Sequence, residues 1–188
     1  TVAICGSDFH GFTGKTGRRI PPLIMGHEAS GVVVESNKNS KFNVGDKVTF
    51  DSTIYCGVCK YCLAKQVNLC SDRRVLGVSC DEYSQNGAMA EYISVPSRIV
   101  YTLEEKIDYN DAALIEPASV AYHAVSMSNV SPDEQVLVVG VGVIGLILIQ
   151  ALSWYVLGGR RLGWGGVGGW GSGLQAGGAY GALRVHSL

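Results

Sequence analysis

The chain has 188 residues, 47% of them hydrophobic, with 15 basic and 16 acidic side chains and six cysteines. A formal charge of -1 with average hydrophobicity excludes a basic nucleic-acid binder and a disordered chain, and no run of 18 apolar residues exists to form a membrane span. The averages join two unlike texts: residues 1–150 hold 28 of the 31 charges and 13 of the 25 glycines, whereas 151–188 hold three arginines, 12 glycines, all three tryptophans and no Asp, Glu or Lys.

The chain opens at Thr1 without an initiator Met, a charged n-region or an apolar h-region, so it reads as processed or as a fragment, with no recognisable signal peptide. Short apolar stretches between Gly and Pro, such as residues 31–35 and 46–50, read as strands. Residues 1–55 and 75–103 are therefore expected to be all-β. Residues 56–70 hold four cysteines in a polar setting without periodicity, which predicts a loop excursion organised by something other than a core. From Asp108 to Ser128, Ala112, Ala113, Ile115, Val120, Ala121 and Val125 recur at helical spacing, interrupted by Pro117, which predicts two helical pieces. Ser131-Pro132-Asp133 marks a turn. Residues 135–139 form an uninterrupted apolar strand of the kind buried on both faces of a parallel sheet. Gly140-Val141-Gly142-Val143-Ile144-Gly145 follows, then an apolar helix from about Val143 to Leu157 that Gly158-Gly159 would stop. Beyond it glycine is too dense to hold a regular element cheaply.

Cys56, Cys59, Cys62 and Cys70 stand as C-x2-C-x2-C-x7-C. Tetrahedral zinc takes four thiolates at about 2.3 Å, and C-x2-C turns bring two sulfurs to one ion without strain. A structural zinc is the direct reading. Two disulfides would need a secretory setting that the sequence does not announce, and a redox C-x-x-C would need a thioredoxin-like βαβ pattern. Four thiolates on Zn2+ leave a charge of -2, which Lys60, Lys65, Arg73 and Arg74 are placed to offset. Cys80 is left over, by default a free thiol.

Cys5-Gly6-Ser7-Asp8-Phe9-His10 and Gly26-His27-Glu28 gather a thiol, a hydroxyl, two carboxylates and two imidazoles. Singly, Cys5 reads as a small buried hydrophobe and His27 as a core histidine. Together they read as an open catalytic zinc site, with one Cys, one His and one carboxylate on the ion and a water or alcohol in the fourth position. Thiolate, neutral imidazole, carboxylate and Zn2+ sum to zero charge, so such a site sits in a dry cleft without a large desolvation cost.

These stretches, with Ala29-Ser30-Gly31, Val44-Gly45-Asp46-Lys47-Val48, Gly87-Ala88-Met89-Ala90-Glu91-Tyr92, Glu116-Pro117 and Val138–Gly145, resemble the zinc-dependent medium-chain alcohol dehydrogenases, in the polyol branch that includes sorbitol (L-iditol) dehydrogenase. The resemblance covers residues 1 to about 152. It implies an α/β plus β protein: a GroES-like β-barrel catalytic domain over 1–118 that lacks its N-terminal strands and carries a zinc lobe at about 52–75, then the start of a Rossmann domain over 119–157, then a tail of uncertain origin over 158–188. It makes Cys5 and His27 catalytic-zinc ligands, with Glu28 placed ahead of Glu116 as the third. Asp8 would orient the His27 ring, Ser7 would accept the alcohol proton and His10 would pass it outward; Phe9 needs no special role. Asn37 stands where the family usually has a Gly, and Asn tolerates a left-handed turn next best.

The glycine loop follows a strand and opens a helix, as a dinucleotide fingerprint demands: Gly140 for the tight turn, Gly142 for close approach of the pyrophosphate, Gly145 for helix packing, with Val141, Val143 and Ile144 between them. Phosphates would meet backbone N–H groups at the helix N-terminus. The acidic residue expected about twenty positions on is absent; Arg160 and Arg161 stand there, and residues 153–188 read as foreign to the family, as from an altered reading frame. The expected function is zinc-dependent, NAD- or NADP-linked oxidation of a secondary alcohol or polyol in the cytoplasm, by a homo-oligomer with no nucleic-acid or membrane partner. For the chain as it stands, zinc binding with little turnover is expected. The alternative is a non-catalytic zinc-binding module or regulatory truncation.

Overall fold

The computed structural model describes residues 1–38, 40–132, 134–156 and 182–185. The chain divides into two compact units, Thr1–Glu116 and Pro117–Leu188.

In the first unit, β1 (Val2–Ala3) leads into α1 (Gly6–Phe12), and β2 (Glu28–Val32), β3 (Lys47–Phe50) and, later, β8 (Val100–Thr102) complete a four-stranded antiparallel sheet in the order β1-β2-β3-β8. The β1–β2 register sets Val2 opposite Ala29 and Ala3 opposite Glu28. That pairing carries Cys5, just past β1, to Glu28 at the start of β2. Strand polar groups facing inward are matched rather than buried bare: Thr49 Oγ1 donates to the Ala29 carbonyl at 2.8 Å and Ser30 Oγ to the Tyr109 carbonyl at 2.6 Å. Phe42, Leu76, Ile99 and Val100 form the buried core, with Val33, Val48, Phe50 and Ile54 packed against it.

The cysteine excursion leaves and re-enters through a two-residue ladder of β4 (Thr53–Ile54) with β5 (Arg74–Val75). Inside it lie α2 (Lys60–Leu63) and a 3-10 turn at Val67–Leu69, so the segment is more regular than its lack of periodicity implied. The hairpin of β6 (Val78–Ser79) with β7 (Ser84–Gln85) follows, and β8 is preceded by a 3-10 turn at Ser97–Ile99. Three glycines allow the backbone here to stack. A Cβ on Gly87 would lie 2.1 Å from the Gly26 carbonyl oxygen, and one on Gly77 would lie 2.7 Å from the Gly26 nitrogen. Gly26 itself has φ +95°, a conformation other residues adopt only at a cost. Bonds from Ala88 N to Gly26 O and from Met89 N to Met25 O then lock the turn that presents His27.

Several expectations are corrected. Residues 6–12 are helical inside a region expected to be all-β. The cause is local: Cys5 N donates to Asp8 Oδ2 at 3.3 Å, and Asp8 N and Phe9 N donate to the Cys5 carbonyl, which starts a turn that Gly6 and Gly11 would not favour by propensity. The strand expected at 31–35 runs from Glu28 to Val32. Asn37 is not left-handed; among the described residues the non-glycine positive φ angles belong to Lys65 and Asn129, and the Asn37 carbonyl instead accepts from Ser40 N in a turn.

The helical pieces are α3 (Tyr109–Ala113), capped by Asp108 accepting from Asn110 N, and α4 (Ile115–Ser128). Their break falls at Leu114 rather than at Pro117. Proline is tolerated in a first helical turn, where its missing N–H has no intrahelical acceptor to lose.

In the second unit, Glu134 N bonds the Ser131 carbonyl in the expected turn, with Asp133 outside the described residues. Then come β9 (Val136–Val139) and α5 (Val143–Val156). Val125, Val138 and Leu152 form its core. The expected interior parallel strand is corrected. The described partner of β9 is the antiparallel β10 (Ala182–Val185), with Val138 opposite Leu183, and Leu137 and Val139 are 59% and 68% exposed. Gly158, Gly159, Arg160 and Arg161 lie outside the described residues.

Candidate metal centres

The sulfurs of Cys56, Cys59, Cys62 and Cys70 all lie within 4.8 Å of one another, and none is in a disulfide. Backbone amides serve this cluster: Cys56 N donates to Cys70 Sγ at 3.2 Å and Cys59 N to Cys56 Sγ at 3.4 Å. Backbone N–H groups of Ser71 and Cys62 pull the Cys59 thiol down to about 6, and those of Val58 and Cys59 lower Cys56. Burial, reinforced by its neighbouring thiols, pushes Cys62 up to about 12. The N–H donors that lower Cys59 and Cys56 favour the thiolate form that a metal takes. The cluster fits a structural zinc site. Of the four cations expected to offset its charge, three have other partners: Arg73 Nη1 donates to the Asn68 carbonyl, Arg74 Nε pairs with Asp72 and Lys60 Nζ lies over the Tyr61 ring. Cys80 stays outside the cluster and donates to Glu82 Oε2 at 2.9 Å.

Ligand atoms of Cys5, His27 and Glu28 likewise lie within 4.8 Å of one another. Cys5 comes from the β1–α1 junction; His27 and Glu28 come from the glycine-stacked turn and the first residue of β2. Asp8 sits behind them, its Oδ1 3.4 Å from His27 Nδ1. That separation leaves His27 Nδ1 without a formed hydrogen bond among the described residues. It nonetheless turns Nδ1 toward the carboxylate and leaves Nε2 as the nitrogen for a ligand. Ser7 lies beside the Cys5 thiol. His10 is one helical turn along α1 from Ser7, exposed, its ring edge-on to Phe9. Glu116 falls outside the three-residue cluster. Its Oε1 accepts from the buried Ser52 Oγ at 3.2 Å, and its charge is felt by His27.

The electrostatics describe a place short of a cation. Burial, with Glu28 adding to it, raises the Cys5 thiol, although Ser7 pulls it back. Burial also raises the Glu116 carboxyl, opposed by His27 and reinforced by Glu28. Burial would lower His27, but the Asp8, Glu116 and Glu28 carboxylates outweigh it and hold the imidazole above its ordinary value. Asp8 moves opposite to Glu116. Burial works against its ionised form, yet His27 and Arg19 keep its carboxyl below the usual range. Thiol, imidazole and carboxylate form a donor set that zinc accepts, and a dication neutralises the surplus of acids.

In the second unit, Gly140 has φ +97°, and a Cβ on Gly145 would lie 2.0 Å from the Gly140 carbonyl oxygen. The strand-to-helix turn thus needs glycine at both ends. A Cβ on Gly142 would meet nothing within 4 Å, which leaves open space beside the backbone there.

Residues 1–105 match the alcohol dehydrogenase GroES-like domain. The chain belongs to this family. Over 152 residues this GroES-like chain is 40% identical to the D-arabitol-phosphate dehydrogenase of Enterococcus avium, covering 79% of the chain and 42% of that protein. It is 34% identical over 154 residues to the sorbitol dehydrogenase of Bacillus subtilis, covering 80% and 42%. The crystal structure of a short chain alcohol dehydrogenase from Escherichia coli CFT073 with NADH superposes with a TM-score of 0.72 at 31% identity, covering 83% of the chain and 44% of that one. The chain therefore spans less than half the length of the curated relatives it matches. The two curated relatives are by name dehydrogenases of a polyol and of a polyol phosphate, and the fold is the GroES-like part with the start of a Rossmann unit. No helix among the described residues is long and apolar enough to cross a membrane.

Sequence reasoning passed over Ser52 and Arg19. Ser52 is buried against Glu116, with no local motif to mark it. Arg19, beside a second arginine in a polar stretch, reads as an exposed charge, yet its side chain is 6% exposed and bonded to Asp8. A small residue at Gly11, one α1 turn after Ser7, was the available signal.

Proposed function

We propose that the protein is a zinc-dependent, NAD- or NADP-linked dehydrogenase of a secondary alcohol, with polyols or their phosphates as the substrate class. The observation that carries the reading is the convergence of Cys5, His27 and Glu28 within 4.8 Å, backed by Asp8. In this reading the thiolate of Cys5, Nε2 of His27 and the Glu28 carboxylate hold the catalytic ion, with Glu116 nearby as an alternative oxygen donor. Cys56, Cys59, Cys62 and Cys70 hold the structural ion. Bound zinc supplies a Lewis acid that lowers the pKa of an alcohol on it. Asp8 orients His27. Ser7 accepts the alcohol proton, and His10, one turn along α1, hands it to solvent. Gly140, Val141, Gly142, Val143, Ile144 and Gly145 offer the backbone for a dinucleotide pyrophosphate, with the open side at Gly142 giving it room.

The catalytic domain is assigned to 1–118 and the start of the dinucleotide domain to 119–157, with 158–188 as a tail. The protein works in the cytoplasm as a homo-oligomer, a setting in which six reduced thiols persist. Zinc per chain tests the proposal. Two ions falling to one on Cys5→Ala support it; one ion unaffected by Cys5→Ala leaves a zinc-binding module without a catalytic centre.

A further inference from the structure

We propose that Arg19 is the positioning residue of the open metal site, holding with one guanidinium nitrogen both the carboxylate that aims His27 and the hydroxyl of Ser7. The inference rests on the metal-site reading above. Arg19 Nη2 lies 3.2 Å from Asp8 Oδ1 and 3.4 Å from Ser7 Oγ, and Nη1 donates to the Arg18 carbonyl at 3.0 Å. The side chains of Arg19, Asp8 and His27 are 6%, 2% and 9% exposed.

The fold goes to some trouble to put a cation there. Residue 19 is pinned by a parallel bridge to Ser79, with Ser79 N bonded to the Arg18 carbonyl and Ile20 N to the Ser79 carbonyl. The stem of Arg19 lies against Gly11, where a Cβ would be 2.0 Å from Arg19 Cγ. Arg19 Nε is buried with no hydrogen-bond partner among the described residues. A buried ion pair is a poor source of stability, and an unmet buried donor makes it poorer. What this arrangement supplies is geometry. Asp8 Oδ2 takes the Cys5 N–H and Oδ1 takes Arg19, so both oxygens are fixed and the carboxylate plane cannot turn. The face left on Oδ1 meets His27 Nδ1 and sets which nitrogen is free for metal. A guanidinium only donates. Ser7 Oγ therefore accepts from Arg19 and keeps its own proton for another acceptor, so one cation sets the ligand and the hydroxyl beside it together.

The test uses cobalt(II) with the whole 188-residue chain. Bands belonging to the open site are those that Cys5→Ser abolishes, and the remaining bands report the four-cysteine site. Open-site affinity is measured against a competing chelator for the wild type, Arg19→Met, Arg19→Lys and Gly11→Ala. Arg19→Met should weaken open-site binding about 10- to 100-fold with the four-cysteine bands unchanged, and should remove the slowly exchanging His27 Nδ1 proton from the NMR spectrum of the zinc-loaded chain. Arg19→Lys should recover part of the loss, because an ammonium keeps the charge but lacks the planar group that Nη1 anchors on the Arg18 carbonyl while Nη2 serves Asp8 and Ser7. Gly11→Ala keeps the charge and displaces the stem, and should shift affinity the same way. Arg19→Met binding within about twofold of wild type, with the Nδ1 proton retained, overturns the proposal. If Arg19→Met loses both sets of bands, Gly11→Ala decides by the same threshold. A wild-type chain that takes cobalt only at the four cysteines overturns the open metal site itself, and this role of Arg19 with it, a result distinct from an Arg19 variant that binds normally.

Discussion

His27 Nδ1 lies 3.4 Å from Asp8 Oδ1, with both side chains less than a tenth exposed. Asp8→Asn should lower zinc affinity at the open site by about 10- to 100-fold and leave the four-cysteine ion in place, as counted by metal analysis after partial chelation. The pH dependence follows from the sign of the Asp8 shift. Its folded pKa lies below the unfolded one, so it contributes stability that is present above the unfolded carboxylate value and lost as pH falls through the folded value. Removing the charge also strands Arg19, at a cost of about 3 kcal/mol. Thermal unfolding in chelator should show Asp8→Asn well below wild type at neutral pH and approaching it in acid; a constant gap would contradict the linkage.

Among the thiols of the metal-free chain, Cys59 and Cys62 should behave as opposites. With its pKa near 6, Cys59 is a thiolate at neutral pH, whereas Cys62 near 12 is not. Iodoacetamide at pH 7 should modify Cys59 first and Cys62 last, read by peptide mass spectrometry, with zinc protecting both. Equal labelling of the two would contradict the amide arrangement described for the cluster.

Gly87 and Gly6 make a matched pair of alanine substitutions. Gly87→Ala forces a methyl to 2.1 Å from the Gly26 carbonyl, which is backbone and cannot step aside. It should cost about 3 kcal/mol, seen in the urea midpoint. Gly6→Ala meets nothing within 4 Å and should stay within about 0.5 kcal/mol of wild type.

Lys47 explains part of the Val44–Val48 motif. Its ammonium donates to the carbonyls of Glu105 and Ile107 at 2.9 and 2.8 Å and lies 4.9 Å from the Tyr109 ring centre. Lys47→Met keeps the stem and loses these bonds. It should destabilise the chain by about 1–2 kcal/mol, and thermal unfolding unchanged from wild type would count against the clamp.

What could be read ahead of the structure depended on how local the cause was. The four cysteines are legible because fifteen residues contain the whole cluster. Cys5 and His27 are legible through chemistry and resemblance, but their meeting depends on the Val2–Ala29 register, which no short window holds. Helix α1 was missed because glycines at positions 6 and 11 argue against it, and the carboxylate that starts it had been given to His27 alone. Pro117 misled in the opposite way, since a residue that breaks helix interiors also opens helices well. For β9, an all-apolar run implied cover on both faces, and among the described residues Leu137 and Val139 do not have it.

The seven residues of α1 are too few to persist as an isolated helix. Its start is made by Cys5 and Asp8, which the proposed centre also uses. Local order of the segment and completeness of the centre are therefore a single property. A protease cut in the exposed run at Lys15 or Arg18 would sever α1 from Arg19, whose stem lies against Gly11, and unmake both together, so loss of ion uptake would keep pace with nicking of this segment rather than with global unfolding.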